Sequence, residues 1–597
     1  MRLMNRKLKK REEGREISLT LRLCFLLLLL SILSGCGSPD EKKRMCSVVL
    51  EECQDVIPNR QSVDVGVDED VTFVLSGKNG CIVSGTDYKD YTLKQSDGKT
   101  LLTLHQVRYS TVVQLQTTYA VRTYFVNGGD GDDCCEPFAP DVKNTSTSSF
   151  QREGYIQTGW NTKADGTGTH IGFGSRTDEK ELYAEWEKET NPDQFLYEAY
   201  GSGIRITGYI GKEDRCILPD EIDGKKVCVI GKGAFVNRKL SQVVCGSNLQ
   251  IIEDGAFSDT TIRELTLSDN LKQISDKSFA GCTINTLRLN AKRKPVYAGS
   301  YFSAFPDKCE RLFSLKWKKM VLFSGSSARY GYNSSEIETA FPEYQVVNMG
   351  TYAYTNAKPQ LDIILAAMSE GDLLIEAPEF DAASQQFCEK KELDRFFFAL
   401  VEEDYKLLEY LDLSGYENVF DSFGEYLYEH GKLTEKEYSE LASEYADDGN
   451  RMDYPTYNEY GDYTLVRPNS EKDEMHRIIP ADYTTDTITE ERIEALNREL
   501  ERFTEKGVTV LFTYAPRNRS SLTEKSTDEA LRQLEHQLRT KISVPVISEM
   551  KDYFYSGVYF YEIDNHLSDE GVKLRTEQII KDIKEWIEKN EQQLLEQ

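Results

Sequence analysis

Ile230-Gly231-Lys232-Gly233-Ala234-Phe235, Ile252-Glu253-Asp254-Gly255-Ala256-Phe257 and Ile274-Ser275-Asp276-Lys277-Ser278-Phe279 repeat one pattern and set their phenylalanines 22 residues apart. Between them recur apolar runs, Leu240-Ser241-Gln242-Val243-Val244, Ile262-Arg263-Glu264-Leu265-Thr266-Leu267 and Ile284-Asn285-Thr286-Leu287-Arg288-Leu289. A fixed period of this length predicts one short strand per repeat, stacked so that Ile, Ala and Phe share a core, which is a solenoid. Phe235, Phe257 and Phe279 are expected to form one column inside it. Cys216, Cys228, Cys245 and Cys282 fall in or beside its apolar positions, where a thiol acts as a small hydrophobe.

The repeats resemble BspA-type leucine-rich repeats, with Ile206-Thr207-Gly208-Tyr209 and Ile217-Leu218-Pro219 as the usual entry. The resemblance covers residues 195–312 and implies a ligand-binding face or a spacer rather than a catalyst. Ahead of it, Arg152-Glu153-Gly154-Tyr155-Ile156-Gln157-Thr158-Gly159-Trp160-Asn161-Thr162-Lys163-Ala164-Asp165-Gly166-Thr167-Gly168 closes with Leu182-Tyr183-Ala184-Glu185-Trp186. That stretch resembles the internalin-type B (Listeria-Bacteroides) repeat, which implies a β-grasp-like spacer over residues 123–190 with Trp160 and Trp186 in its small core. Residues 61–122 alternate strand-like runs with turn signals and read as a small β-sandwich, in which His105 is a structural strand residue.

At the N-terminus, Arg2, Arg6, Lys7, Lys9, Lys10, Arg11, Arg15 and Arg22 precede an apolar run from Leu23 to Leu33. Basic residues followed by an apolar stretch too short to span a bilayer form an export signal, read here as residues 1–35. Leu33-Ser34-Gly35-Cys36 resembles the lipobox of bacterial lipoproteins, which implies cleavage before Cys36 and a lipid on its sulfur. Residues 36–60 read as a linker. The expected location is the outer face of the cytoplasmic membrane, where disulfides among Cys46, Cys53, Cys81, Cys134 and Cys135 would be permitted.

From Lys318 onward strands and helices alternate: Met320–Phe323, Tyr344–Met349, Asp372–Ile375, Val508–Tyr514 and Val544–Ile547 are strand candidates. Helix candidates are Ala357–Met368, Glu490–Lys506, Thr527–Thr540 and Gly571–Asn590. This alternation predicts a parallel sheet with helices on both faces and a site at the strands' carboxyl ends. Residues 381–485 form a long insertion, expected to be a helical lid or cap over the cleft.

The first strand ends in Phe323-Ser324-Gly325-Ser326-Ser327, and Tyr561-Glu562-Ile563-Asp564-Asn565-His566 precedes the last helix. Together these resemble the SGNH hydrolase superfamily over residues 318–592, a flavodoxin-like α/β fold. The resemblance implies Ser327 as nucleophile, His566 as general base and Asp564 as its orienting partner, with Glu562 as the competing carboxylate. It further implies oxyanion donors at the Ser327 backbone and Gly350, with Asn356 a candidate contributor. The family's G-D-S is Gly-Ser-Ser here, and its Gly-x-Asn block has no counterpart after the third strand.

The 597 residues carry 39% hydrophobic and 29% charged residues, so several globular domains are expected. A formal charge of −28 disfavours nucleic acid as a partner. No metal-ligand spacing and no cofactor motif stand out. The fold class read from these features is multidomain: N-terminal all-β modules, a short leucine-rich-repeat solenoid and a C-terminal α/β domain with a parallel sheet. The expected activity is that of a membrane-tethered extracellular esterase or acyltransferase acting on acyl esters of cell-envelope or extracellular carbohydrate. The alternative is a non-enzymatic adhesin or scaffold whose repeats bind a carbohydrate or a surface protein.

Overall fold

The computed structural model describes residues 45–595 other than 54, 78–80, 97–98, 139–144, 146–149, 292–294, 296, 298–300, 381–382, 390–391, 394, 433–456, 471–478 and 562. The signal segment, Cys36 and Glu562 therefore lie outside the described residues. The chain divides into two compact units, one running to Leu75 together with Val83–Thr117, the other holding Ser76–Ile82 and Thr118–Gln597.

The first unit is all β. Met45–Leu50 pairs antiparallel with Ser62–Gly66 and parallel with Thr111–Val113, while Tyr91–Ser96 forms a hairpin with Lys99–Val107. Val48, Phe73, Leu102 and Leu104 are fully buried, as period-2 alternation requires. Met45–Leu50 and Val56–Pro58 are strands within the stretch expected to be a linker, so the β unit begins well before residue 61. The physical reason is the alternation of Cys46, Val48 and Leu50, whose side chains are all buried. His105 is structural in contact, its Nδ1 lying 2.8 Å from Asp70 and its Nε2 3.2 Å from Thr92.

In the second unit, Val121–Phe125, Cys134–Pro137, Tyr155–Asn161, His170–Ile171 and Glu181–Lys188 form one five-stranded sheet. Trp160, Tyr124, Phe173, Leu182 and Ala184 make its buried centre, and the Trp186 indole donates to the carbonyls of Val126 and Asn127. A Cβ on Gly129 would stand 2.4 Å from the Trp186 ring, so only glycine admits that indole.

The repeats follow as two parallel ladders. Lys239–Val244, Thr261–Ser268 and Thr283–Asn290 pair in register at the 22-residue period, as do Val229, Ile251 and Gln273 on the other face. Tyr209, Phe235, Phe257 and Phe279 stack with centroid spacings of 5.4, 4.7 and 5.0 Å. Gly233 and Gly255 turn the chain at φ +72° in successive repeats. Where Lys277 replaces that glycine, the turn becomes a short 3-10 helix with Ser275 as its N-cap. Cys216 and Cys245 are buried, and burial pushes both thiols up.

The last region holds α1 (Ala304–Ser314), β1 (Lys319–Phe323), α2 (Ser326–Arg329), α3 (Ser334–Ala340), β2 (Gln345–Asn348), α4 (Ala357–Ala367), β3 (Leu373–Glu376), α5 (Arg395–Val401), α6 (Val419–His430), α7 (Glu490–Glu505), β4 (Thr509–Phe512), α8 (Asp528–Lys541) and α9 (Asp569–Leu595). The sheet order is β2-β1-β3-β4 with every pairing parallel. Val546 adds only a single bridge to Phe512, so the expected fifth strand is not formed as a ladder. The order reverses between β1 and β3, the position at which open parallel sheets place a crevice at the strands' carboxyl ends. Repeat strands stop at Asn290, and α1 packs against β2 and α4, so residues 304–312 join the α/β core rather than the solenoid.

The described helices of the 381–485 insertion do not all lie over the crevice. Phe420 of α6 stacks on Phe279 at 4.0 Å and extends the aromatic column by one ring. Gly424 meets Ile274 so closely that a Cβ would lie 2.0 Å from its Cγ2. A solenoid end needs a cap, and this helix supplies one. Gly424→Val is therefore expected to destabilise the chain by about 1–3 kcal/mol through overpacking, read from urea denaturation; an unchanged midpoint would mean the helix does not seat there. Among the described residues, no helix is long and apolar enough to cross a membrane.

Candidate active site

β1 is followed by Ser324-Gly325, and the chain turns at once into the single helical turn of α2. Gly325 is required by space: a Cβ would lie 2.5 Å from both Ala353 Cβ and Glu379 Oε1. Ser324 Oγ donates to the Ala377 carbonyl at 2.5 Å and lies 2.9 Å from Ser327 Oγ. These bonds turn the fully buried Ser327 inward, tying the end of β1 to the end of β3. The Ser327 N–H donates to Glu379 Oε1 at 2.8 Å, and its carbonyl accepts from the buried Arg575 of α9 at 2.6 Å.

Ser326 points the other way. Its Oγ lies 2.8 Å from His566 Nε2. The structure thus gives the histidine to Ser326 and not to the expected Ser327, because the phase of α2 sends adjacent hydroxyls to different sides. His566 stands in a loop closed by the Phe560 and Leu567 bridge and by the Tyr561 N–H donating to the His566 carbonyl at 2.8 Å. Ser568 then caps α9 through the Gly571 N–H.

Asp564 does not hydrogen-bond His566. Its carboxylate accepts from the Ile479 N–H and, at 3.3 Å, from Asn518 Nδ2, with Arg517 at 3.6 Å. Burial pushes its carboxyl up, against the lowering effects of Ile479, Arg517 and Asn518. It pins the bend after β4 to the histidine loop. Asn565, between them, donates to Glu379 and links that loop to the serine turn.

The other expected donors are engaged elsewhere. The Gly350 N–H donates to Asn348 Oδ1 at 3.0 Å. Asn348 in turn donates to Asp462 Oδ1 at 2.8 Å, and Asp462 receives the Ser334 N–H and hydroxyl. Asn356 is the N-cap of α4, accepting from the Lys358 N–H, and its amide donates to the Glu392 carbonyl. Glu379, Asp462, Arg575 and Tyr330 are site neighbours with no motif of their own in the sequence.

Glu376 at the end of β3 is fully buried, neither carboxyl oxygen has a hydrogen-bond partner among the described residues, and burial pushes it well above its ordinary value of 4.5. A carboxyl whose folded value is raised loses stability for the chain as pH climbs from its unfolded value upward. Glu376→Gln should flatten that fall. Urea midpoints taken at acidic and neutral pH check it: an equal pH slope in both proteins would contradict the burial argument.

Residues 228–360 match the BspA-type leucine-rich repeat region in 6 copies. No curated protein matches the chain. Among solved structures, the chain is similar to the crystal structure of a T. pallidum leucine-rich repeat protein at 21% identity, over 17% of this chain and 72% of that one, with a TM-score of 0.13. The chain is multidomain and rich in β-strands, and it contains BspA-type leucine-rich repeats.

Proposed function

We propose that this chain is a surface-held scaffold or binding protein built on its leucine-rich repeats, and that the α/β region beside them cleaves or transfers acyl esters through Ser326 and His566. The repeat match at residues 228–360 supports the scaffold reading. Repeat arrays present extended surfaces and are not themselves catalysts.

The acyl-ester reading is carried by one observation, the 2.8 Å contact of Ser326 Oγ with His566 Nε2 beside the carboxyl end of a parallel strand. A serine hydroxyl is a weak nucleophile until a base takes its proton, and with Nε2 unprotonated the imidazole accepts from that hydroxyl. The resemblance to the SGNH superfamily supports the same chemistry, with the nucleophile one residue before the serine that motif alignment selects. The lipobox at Leu33–Cys36 supports tethering on the outer face of the cytoplasmic membrane, which makes acylated envelope or extracellular carbohydrate the substrate class. Glu562 remains the candidate carboxylate for His566 in this reading.

Incubated with acetylated oligosaccharides and short aryl esters, the full chain is expected to release acid faster than its Ser326→Ala variant. Equal rates across the panel would leave the repeat scaffold as the function. For the tether, the intact mass of membrane-extracted protein is expected to correspond to a chain beginning at a lipidated Cys36; an unmodified N-terminus upstream of it would overturn the assignment.

A further inference from the structure

We propose that Tyr330 is a positioning residue for the catalytic histidine, its ring holding the imidazole plane so that Nε2 faces Ser326. The inference rests on the Ser326–His566 reading and extends it to a third side chain. Tyr330 lies four residues after Ser326, and its N–H donates to the Ser326 carbonyl at 3.0 Å. Residues at that spacing project from one face of a helical turn. One turn therefore delivers a hydroxyl to the imidazole edge and an aromatic ring to its face: the Tyr330 and His566 rings stack with centroids 3.9 Å apart and planes inclined by 12°.

The tyrosine is itself held. Its carbonyl accepts from Arg467 Nη1 at 2.8 Å, and its ring packs on Tyr463 at 4.5 Å. Tyr463 is bound through its N–H to the Arg329 carbonyl at 3.0 Å, and Arg467 is paired with Asp569 at 3.4 Å. Tyr330, Tyr463 and Arg467 are all buried. A ring seated in so packed a layer has one available plane, and the histidine that stacks on it inherits that plane. It is the ring that stacks on the imidazole, so phenylalanine should hold the His566 plane as tyrosine does.

The test compares Tyr330→Phe and Tyr330→Leu in the full chain. With an ester substrate, Phe is expected to keep kcat and KM, whereas Leu lowers kcat by about 10- to 100-fold at unchanged KM, the cost of a misaligned base. Independently of turnover, selectively labelled histidine is expected to show ring-proton signals of His566, assigned by their loss in His566→Gln, shifted upfield by the Tyr330 ring current. That shift persists in the Phe variant and vanishes in the Leu variant. A wild type without the upfield shift, a folded Leu variant with full kcat, or a Phe variant that falls as far as Leu would overturn the proposal. If no ester is turned over while the upfield shift is present, the stack stands and the acyl-ester reading fails.

Discussion

Ser326→Ala is expected to lower ester turnover by roughly 10³-fold or more, the loss typical when one member of a nucleophile–base pair is removed. His566→Ala should lose as much, and the double variant little more, as the proposed pairing of the two requires. Ser327→Ala is the decisive contrast. Its hydroxyl faces Ser324 at 2.9 Å, inside the turn and away from the histidine. Removing it leaves Ser324 still bonded to the Ala377 carbonyl, so the cost is one neutral hydrogen bond, about 1 kcal/mol of stability. Turnover should remain within about tenfold of wild type, a loss small beside removal of the base. If Ser327→Ala loses activity and folded Ser326→Ala keeps it, the nucleophile is the serine that motif alignment selects.

Phe257→Ala is expected to cost about 3–5 kcal/mol, the range for truncating a buried aromatic core residue. The ring is fully buried, stacked on Phe235 at 13° and on Phe279 at 2° between planes. Each neighbour in a solenoid contacts only the next, so the cavity cannot be filled from the side. The loss should also loosen the seat of Phe420, which meets the column through Phe279. Denaturation monitored by circular dichroism measures it. A change under about 1 kcal/mol would mean that the column contributes little beyond spacing.

The repeats were legible because their period is written in single residues: Ile, Ala and Phe recur at fixed intervals, and each side chain needs only its own neighbours. Most strands and helices of the α/β region are legible too, and Ala357–Ala367 and Glu490–Glu505 fall within a residue of the expected bounds. The strand expected at Val544–Ile547, however, makes a single bridge, and the helices Ala304–Ser314 and Ser334–Ala340 carry no signal that marked them in advance. Sequence reading faltered where a contact is decided at long range or by the phase of one turn. Which of two adjacent serines meets His566 depends on Gly325 being extended and on Glu379, 52 residues away, taking the Ser327 N–H. Asp564 stands two residues before His566, where the family's Asp-x-x-His sets its acid three before, and Arg517 and Asn518, from the loop after β4, claim its carboxylate. The insertion reads as a lid because it follows a strand at the crevice. Only the folded chain shows Phe420 completing a column that begins more than two hundred residues earlier.

In the proposed reading Ser326 is a base-activated nucleophile within a repeat-bearing chain. Treatment of the full chain with a fluorophosphonate probe, followed by digestion and peptide mass mapping, addresses it most directly. The adduct is expected on Ser326, absent from His566→Ala and retained in Ser327→Ala. An adduct on Ser327, or none on wild type under conditions that label an active serine hydrolase, would contradict it.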